Sequence, residues 1–492
     1  MTKLCVPLTD KDTDSMLAAM HALPPEVDMV EVRLDGMESC DLERLCAGRD
    51  RPIIATNRPV REGGGATEPE GERLATLRRA AELGAEYVDV ELDAVGELGD
   101  LPGGAARIVS YHNFQQTPAD LGGILRRIRA AGADVAKLAV KANDIRDVPP
   151  VLDLLRRHAA DAPLIALSMG EEGTAARILA AKFGAFLTFA SAAAGRESAP
   201  GQMPCDAMLG MYRVHRINRD TLLYGVVARP VGHSMSPAVH NAALAALGLN
   251  AVYLPFSVTD PERFLADFEP YDLRGVSVTI PHKEAMLPLM DEVDEQARRV
   301  GAVNTVRIDE GHRYGCNTDV RAAVEAVEAA VRRSPLAPLS ECSVLLVGAG
   351  GAARAIAYGL RDRAGRLTIA NRTVERAERL AAELGVESCG LDGMAALEPD
   401  VLINSTSVGM WPKVEQSPVP AGMLRPGMVV FDSVYNPVRT RLLAEAEAAG
   451  AVTASGVEWF VNQAAAQFEL WTGMDAPREV MEEALRAQLG RP

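Results

Sequence analysis

The chain has 492 residues, more than one hydrophobic core normally holds, so two or three domains are expected. Hydrophobic residues make up 48% and charged residues 24%, proportions typical of a globular protein in water. The formal net charge of −16 argues against a general nucleic-acid-binding surface and against binding to anionic membranes.

Hydropathy and cysteine spacing predict the compartment and the absence of a metal. No run approaches the ~20 apolar residues of a membrane span, and residues 1–7 lack the apolar core of a signal peptide. Seven cysteines form an odd number, and none belongs to a Cys-x-x-Cys pair. A cytoplasmic protein without a zinc or other metal site is therefore expected.

Residues 1–219 are predicted to form a (β/α)₈ barrel, because short apolar runs alternate with helical patterns. The helical patterns are clearest at 72–83, 118–131 and 173–183. The eight predicted strands are 4–8, 29–34, 53–57, 87–92, 107–112, 135–140, 164–169 and 186–191.

Polar residues cluster where these strands end, which is where a barrel carries its chemistry. Each position alone could be a surface charge, a helix cap or a core polar pair, but their joint placement favours an active site. The residues concerned are Glu31, Arg33, Arg58, Glu62, Ser110, His112, Lys137, Arg177, Ser198 and Gln202.

Lys137 lies inside an apolar strand-like run, and two interpretations are open. Burying an ammonium costs several kcal/mol unless the group is paired or loses its proton. A neutral lysine amine is a nucleophile toward ketones and aldehydes, which would indicate Schiff-base chemistry. A structural lysine paired with a core carboxylate is the alternative.

The α/β pattern restarts after a short polar junction at 218–220 and continues over residues 220–492. The first lobe, 220–322, has predicted strands at 222–228, 252–258, 275–280, 302–308 and 313–318. A helix over 320–333 leads into the second lobe, 323–455, and the C-terminal helices are expected to return to the first lobe. The strands of the second lobe are predicted at 344–347, 367–370, 401–404, 428–432 and 451–454.

The second lobe contains a nucleotide-binding pattern. Gly348, Gly350 and Ala353 fit G-x-G-x-x-G/A between an apolar strand and an alanine-rich helix, so a Rossmann lobe is predicted. The next strand ends in Asn371-Arg372-Thr373, with Arg376 nearby, instead of the carboxylate that would hold the ribose of NAD. Arginine suits a 2′-phosphate, which favours NADP, although an ordinary surface arginine is the alternative.

The stretches upstream of that loop contain serine and threonine hydroxyl groups, a side-chain amide, a lysine and an aspartate. Such side chains suit the binding of a small polyhydroxylated substrate. Lys283 and Asp319 could handle a proton beside a carbonyl being reduced. The other interpretations are a helix cap at Ser236-Pro237 and a solvated loop residue at Lys283.

On these motifs the second half resembles shikimate dehydrogenase over nearly its whole length. The matching stretches are 232–237, 279–283, 301–305, 317–319, 348–353, 371–373, 404–410 and 463–465. The first half resembles type I 3-dehydroquinate dehydratase, at Glu31-x-Arg33, Arg58 and Glu62-Gly63-Gly64, Ser110-Tyr111-His112, Lys137, and 198–202. The whole resembles the fused dehydratase–dehydrogenase of aromatic amino-acid biosynthesis.

The dehydratase resemblance implies an imine between Lys137 and 3-dehydroquinate, proton transfer by His112, and orientation of His112 by Glu62. The substrate would be held by Glu31, Arg33, Arg58, Arg177, Ser198 and Gln202.

The dehydrogenase resemblance implies NADP(H) as cofactor, with Lys283 and Asp319 handling the proton. The implied shikimate-binding residues are Ser234, Ser236, Thr279, Asn304, Tyr435 and Gln463. The implied cofactor-binding residues are Gly348, Ala349, Gly350, Gly351, Ala352, Asn371, Arg372, Thr373, Arg376, Thr406 and Met410.

Two departures from the family pattern, Ala228-Arg229-Pro230 and Glu458-Trp459-Phe460-Val461, leave the choice between shikimate and quinate open. An enzyme with only one active site is a further alternative. A metabolite-sensing regulator is a remote one, because the chain keeps its catalytic residue types, is acidic and has no added helix-turn-helix segment. The partners expected are the small-molecule substrates alone, and the oligomeric state does not follow from the sequence.

Overall fold

The computed structural model describes residues 1–232 and 234–490; His233 of the 232–237 motif and the last two residues lie outside them. The chain divides into two compact units. The first comprises residues 1–224, 228–232 and 250–273, and the second comprises 225–227, 234–249 and 274–490.

The first eight strands form one parallel sheet that is nearly closed into a barrel. Their order is β7-β6-β5-β4-β3-β2-β1-β8, and a main-chain hydrogen bond from Phe186 to Leu164, 2.8 Å long, links the two outermost strands. The (β/α)₈ prediction is confirmed. The strands are β1 (Lys3–Leu8), β2 (Met29–Arg33), β3 (Ile53–Thr56), β4 (Tyr87–Glu91), β5 (Ala106–Asn113), β6 (Val135–Lys141), β7 (Leu164–Met169) and β8 (Leu187–Phe189).

Helices alternate with these strands. The predicted helix over 173–183 is too long: only α7 is α-helical there, and 3₁₀ turns flank it. Gly173 lies so close to Ser168 that a Cβ at Gly173 would be 2.6 Å from the Ser168 carbonyl oxygen, so the chain enters by a tight turn. The helices are α1 (Thr13–His21), α2 (Leu42–Gly48), α3 (Glu70–Glu82), α4 (Val95–Leu98), α5 (Leu121–Ala130), α6 (Val148–His158) and α7 (Thr174–Leu179).

A second, mixed sheet follows, in the order β10-β9-β11-β13-β14-β12. Its strands are β9 (Leu222–Ala228), β10 (Ala251–Ser257), β11 (Leu273–Val278), β12 (Glu292–Val293), β13 (Thr305–Asp309) and β14 (His312–Cys316). The helices in this stretch are α8 (Ser236–Ala246), α9 (Pro261–Phe268), α10 (Lys283–Met286) and α11 (Glu295–Val300).

The predicted strands 302–308 and 313–318 each extended too far. β13 begins only at Thr305, because Asn304 already points its amide at the start of the next helix. β14 ends at Cys316, because the Asn317 side chain accepts a hydrogen bond from the main chain of Asp319 and starts that helix.

The third sheet is parallel throughout, with the order β17-β16-β15-β18-β19-β20 of a Rossmann lobe. The strands are β15 (Ser343–Val347), β16 (Arg366–Asn371), β17 (Glu387–Gly390), β18 (Val401–Asn404), β19 (Val429–Asp432) and β20 (Val452–Ala454). The helices are α12 (Thr318–Arg332), α13 (Gly351–Leu360), α14 (Val374–Leu384), α15 (Arg441–Ala448), α16 (Gly456–Thr472) and α17 (Arg478–Leu489).

The last two helices leave the Rossmann sheet and return toward the second sheet. α16 packs against α12, and α17 packs against α8. Across residues 1–232 and 234–490, no helix combines the length and the apolar character that crossing a bilayer requires.

Two candidate active sites

β6 carries Lys137 into a cavity at the carboxyl ends of the barrel strands. Successive side chains of a strand alternate between its faces, so Lys137 and Ala139 point to the same side. The cavity also collects every barrel residue for which a catalytic or substrate-binding role was expected: Glu31, Arg33, Arg58, Glu62, His112, Arg177, Ser198 and Gln202.

The amine of Lys137 is buried and paired. Its Nζ lies 2.7 Å from Asp89 Oδ2 and 3.3 Å from Glu31 Oε1, and the side chain is 5% exposed. The ring centroid of Phe189 is 4.8 Å from the same nitrogen. Lys137 therefore has the core carboxylates of a structural lysine and also faces the cavity as a nucleophile would.

Asp89 is a site residue that the sequence reasoning missed. Its Oδ1 lies 2.7 Å from the Arg58 guanidinium, which also donates to Glu91 over 2.6 Å. Burial alone would raise the pKa of Asp89, but the charges of Arg58 and Lys137 outweigh it and hold that pKa well below its usual range. The signal was present as two carboxylates two residues apart in an apolar strand run.

His112 is the last residue but one of β5 and lies next to a carboxylate. Its Nδ1 lies 3.0 Å from Glu62 Oε2, and its ring stacks on Phe114. Burial, together with the cations Arg58 and Lys137, lowers the pKa of His112 well below its usual value. Burial raises the pKa of Glu62 to about 7. The His112 ring is thus unprotonated at neutral pH, and it contacts a carboxyl group.

Arg177, on α7, is buried without a carboxylate partner among the described residues. Its hydrogen bond goes to the Pro200 carbonyl oxygen over 3.2 Å, and its Nε has no partner there. Burial lowers its pKa to about 10. Ser198 and Gln202 bond to each other in the same loop as Pro200. An uncompensated cation lining a cavity favours an anionic ligand.

Arg33, by contrast, is already paired within the site. Its guanidinium donates to both carboxylate oxygens of Asp35, over 2.9 and 2.8 Å. Asp35 also accepts from the main chain of Arg58 and of Gly65. Asp35 was not singled out from the sequence, and it ties three segments of the site together.

The second site is built around an ion pair. Lys283 is the first residue of α10 and Asp319 the second residue of α12, and Lys283 Nζ lies 2.6 Å from Asp319 Oδ2. The lysine side chain is 31% exposed and the aspartate 13%, so the pair is open to solvent on one side. Such a pair can pass a proton to a bound ligand.

Asn304 fixes the start of α12 beside that pair. Its amide nitrogen donates to Thr318 Oγ1 over 3.0 Å, and its oxygen accepts from the Thr318 main chain over 2.8 Å. Gln467, a residue the sequence reasoning did not single out, bonds to Ser277 over 2.8 Å and to Thr305 over 3.1 Å. A buried amide network thus underlies the site.

The other expected shikimate-binding residues make local contacts. Ser234 Oγ accepts from the Ser236 main chain, and Thr279 directly follows β11. The ring centroids of Tyr435 and Phe460 are 5.3 Å apart. Gln463 donates to the Phe460 carbonyl oxygen over 2.9 Å.

The glycine-rich turn joins β15 to α13 as the pattern predicts. Gly348 has φ of 122°, a conformation that glycine adopts without strain, and a Cβ there would be 2.6 Å from Ser405 Oγ. Beside Gly350 and Gly351, a Cβ would meet nothing within 4 Å. No neighbouring atom therefore crowds these two positions at the start of α13, as close approach of a phosphate requires.

The segment that follows β16 is basic. Arg372 and Arg376 are exposed, and among the described residues neither forms an ion pair with a carboxylate. Asn371 donates to the Thr373 carbonyl oxygen, and Thr406 donates to Asn404 Oδ1. Met410 is 46% exposed. The two guanidiniums have the charge and the donors that suit a 2′-phosphate.

Four protein-family models match the chain. Residues 4–219 match type I 3-dehydroquinase, and residues 226–306 match the substrate-binding domain of shikimate dehydrogenase. Residues 330–432 match shikimate/quinate 5-dehydrogenase, and residues 456–486 match the C-terminal domain of shikimate 5′-dehydrogenase.

Individual proteins resemble the chain over the same regions. A bifunctional 3-dehydroquinate dehydratase/shikimate dehydrogenase, chloroplastic, from Arabidopsis thaliana is 41% identical over 97% of this chain and 83% of its own length. A shikimate dehydrogenase (NADP(+)) from Methanopyrus kandleri is 46% identical over 56% of this chain and 98% of its own. A crystal structure of a shikimate dehydrogenase in complex with NADP+ superposes with a TM-score of 0.52 and 37% identity, covering 56% of this chain and 98% of that one.

Proposed function

Because the chain belongs to the family of bifunctional 3-dehydroquinate dehydratases/shikimate dehydrogenases, we propose that its two reactions take place at the two residue clusters described above. The chain dehydrates 3-dehydroquinate to 3-dehydroshikimate and reduces 3-dehydroshikimate to shikimate with NADPH. One observation carries the assignment of sites: a buried strand lysine, Lys137, shares a cavity with the base His112 and the unpaired cation Arg177.

In the barrel, the amine of Lys137 attacks the ketone carbon of 3-dehydroquinate. A C–N bond forms and the ketone oxygen leaves as water, which gives an imine. Asp89 and Glu31, 2.7 and 3.3 Å from the amine, fix its direction of attack. Once protonated, the imine withdraws electrons from the neighbouring carbon and so acidifies its C–H bond.

His112 then moves the proton. In its neutral form it accepts the proton from the acidified C–H bond, and the electron pair passes into the imine nitrogen. The electron pair then returns from the nitrogen, a new C=C bond forms and the C–O bond breaks. His112 gives the proton to the departing hydroxyl group, which leaves as water. Hydrolysis of the imine releases the enone and regenerates the Lys137 amine. The lowered pKa of His112 supports this role, because the ring is unprotonated at neutral pH.

The carboxylate of the substrate is bound by Arg177, whose buried guanidinium has no other counter-charge among the described residues. The hydroxyl groups of the substrate are held by the polar side chains around Arg177. We assign that role to Glu31, Arg33, Arg58, Ser198 and Gln202, which line the same cavity.

In the dehydrogenase, Lys283 and Asp319 hold the proton that the carbonyl oxygen of 3-dehydroshikimate gains. NADPH supplies the hydride when it is bound. The 2.6 Å contact with the carboxylate fixes the direction in which the lysine amine points. The ring of 3-dehydroshikimate is held by Ser234, Ser236, Thr279, Asn304, Tyr435 and Gln463.

The 2′-phosphate of the cofactor is recognised by Arg372 and Arg376. Both guanidiniums are exposed, and no described carboxylate competes for them. The glycine-rich turn, residues 348–352 at the start of α13, would hold the pyrophosphate. Asn371, Thr373, Thr406 and Met410 complete the cofactor contacts.

We place the boundary between the two enzymes at residues 219/220, with the substrate lobe over 220–322 and the NADP-binding lobe over 323–455. We also assign the protein to the cytoplasm, since an odd number of cysteines without a Cys-x-x-Cys pair suits a reducing compartment. The Arabidopsis relative is named as chloroplastic.

Borohydride trapping tests the assignment of Lys137. Reduction in the presence of 3-dehydroquinate converts the imine into a stable secondary amine, so peptide mass spectrometry should find the ligand on Lys137. Lys141→Ala, on the same strand, serves as the matched control and should leave the label in place. Recovery of the label on Lys141 or Lys182 would overturn the assignment.

A coupled assay tests the second site. The purified protein should oxidise NADPH when given 3-dehydroquinate. Lys283→Ala should abolish that oxidation, while formation of the ultraviolet-absorbing enone continues. NADPH oxidation by Lys283→Ala at the wild-type rate would remove the lysine from the mechanism. Running the reverse reaction with quinate as well as shikimate reports the substrate preference.

A further inference from the structure

Asp319 is held through its main chain on both sides. Its N–H group donates to Asn317 Oδ1 over 3.2 Å. Its carbonyl oxygen accepts from the indole Nε1 of Trp459 over 3.0 Å. A carbonyl oxygen has two lone pairs, so the indole can bond to it without displacing the helical hydrogen bond.

Trp459 itself has a fixed position. It lies in the first turn of α16, and its ring packs edge-on against Phe431 with centroids 6.3 Å apart. Phe431 is fully buried in the core beneath the Rossmann sheet. The indole thus connects a rigid core to the first turn of α12. Trp459 also belongs to the 458–461 segment in which the chain departs from the family pattern.

We propose that Trp459 is a positioning residue for the dehydrogenase, which acts by fixing the Asp319 carboxylate against Lys283. Asp319 is the second residue of α12, so a displacement of its peptide moves its carboxylate directly. Lys283 and Asp319 are in contact over 2.6 Å, a distance that leaves little tolerance. This inference rests on the proposed roles of Lys283 and Asp319.

Trp459→Phe is the sharpest variant, because it keeps a ring against Phe431 and removes only the N–H donor. Misplacement of a reacting group by ~1 Å can cost ~100-fold in rate, so a smaller shift of Asp319 should lower the dehydrogenase kcat about tenfold. KM for 3-dehydroshikimate and for NADPH should stay within about twofold. The solvent deuterium isotope effect on kcat should rise, since proton transfer becomes slower relative to the other steps.

Trp471→Phe is the matched control. Trp471 lies on the same helix and donates its indole N–H to the Val306 carbonyl oxygen over 2.9 Å, a bond of the same kind. Trp471→Phe should lower the melting temperature without changing the isotope effect. Dehydratase activity of each preparation and NADPH binding by fluorescence report on folding. If Trp459→Phe does not fold, Trp459→Met takes its place.

The outcomes distinguish a failure of the proposed roles of Lys283 and Asp319 from a failure of the inference about Trp459. Asp319→Asn without loss of reduction would contradict the proposed roles of the pair, and with them the inference. An inactive Asp319→Asn beside a Trp459→Phe variant that changes only the melting temperature would contradict the inference alone. An equal loss of kcat in Trp471→Phe would also overturn it, because the effect would then belong to helix stability in general.

Discussion

Two fully buried arginines of the barrel differ in what surrounds them. Arg73 donates to Glu70, to Glu91 and to the Asn57 carbonyl oxygen, so its charge is compensated. Arg177 has the same burial but no described carboxylate within ion-pair distance. Arg73 therefore stabilises the fold. Burial of the Arg177 charge destabilises it, and only an anionic ligand offsets that effect.

Replacement of these two arginines should therefore have opposite effects. Arg177→Met should stabilise the ligand-free barrel by about 1 kcal/mol and raise KM for 3-dehydroquinate by about 10- to 100-fold, because one charged hydrogen-bonding partner is lost. Arg73→Met should destabilise the barrel by about 3 kcal/mol, because Glu91 loses a buried partner. Calorimetry and dehydratase kinetics measure both effects. An Arg177→Met variant less stable than the wild type would contradict the prediction.

The Glu62–His112 contact predicts a pH dependence. With the pKa of Glu62 raised to about 7, the carboxylate that accepts from His112 is lost as the pH falls through 7. The dehydratase kcat/KM should therefore fall on the acid side with an inflection near pH 7. In Glu62→Gln the amide oxygen still accepts from His112 but does not titrate, so the inflection should move to lower pH. An unchanged profile in Glu62→Gln would exclude Glu62 as its origin.

The sequence was sufficient to predict site residues whose type and position are both unusual. It was not sufficient to predict the side chains that pair with them. Lys137, His112 and Arg177 follow from the strand order, because the carboxyl ends of parallel strands converge. Asp89 was missed, since only the closed barrel brings it within 3 Å of Lys137. Asp35 was missed although it lies only two residues after its partner Arg33. Pairing across strands depends on register and twist, which a single sequence does not state.

At the scale of elements, the turn between β15 and α13 combines two glycines with different constraints. Gly348 has a left-handed φ and no room for a Cβ, so the fold itself requires glycine there. Gly350 has a φ of −92° and open space around the position of a Cβ, so the protein alone tolerates a larger residue. A requirement at Gly350 would come from the cofactor.

Alanine substitutions separate these two constraints. Gly348→Ala should destabilise the Rossmann lobe by about 1–3 kcal/mol, through backbone strain and the contact with Ser405. Gly350→Ala should leave the melting temperature unchanged and raise KM for NADPH, because its methyl group occupies the approach of the pyrophosphate. Thermal denaturation and initial rates measure both. Unchanged NADPH kinetics in Gly350→Ala would place the pyrophosphate elsewhere.

Element boundaries show where sequence patterns were insufficient. β17 was not predicted, because this edge strand reads Glu387-Ser388-Cys389-Gly390 and buries no continuous apolar face. The starts of β13 and α12 were misplaced because Asn304 and Asn317 bond to the main chain instead of continuing their strands. The apolar strands β6, β15 and β18 were predicted within one residue of their ends.

At the scale of the whole molecule, the two active sites lie in separate residue sets, and each should work when the other is disabled. A mixture of Lys137→Ala and Lys283→Ala should therefore convert 3-dehydroquinate to shikimate, with 3-dehydroshikimate passing through solution. Dilution of the mixture should lengthen the lag before NADPH oxidation, because the intermediate must accumulate. Either variant alone should give no shikimate. A mixture as inactive as the single variants would show that one substitution damages both sites.

Arg177 has a consequence for the lifetime of the protein in a cell. A ligand that binds only the folded state lowers the fraction of unfolded chains, and unfolded chains are what proteases degrade. The substrate carboxylate removes the cost of the buried cation, so it should protect the barrel from proteolysis. When flow into the pathway stops, the empty enzyme should be degraded faster, and its abundance would then follow the supply of its own substrate.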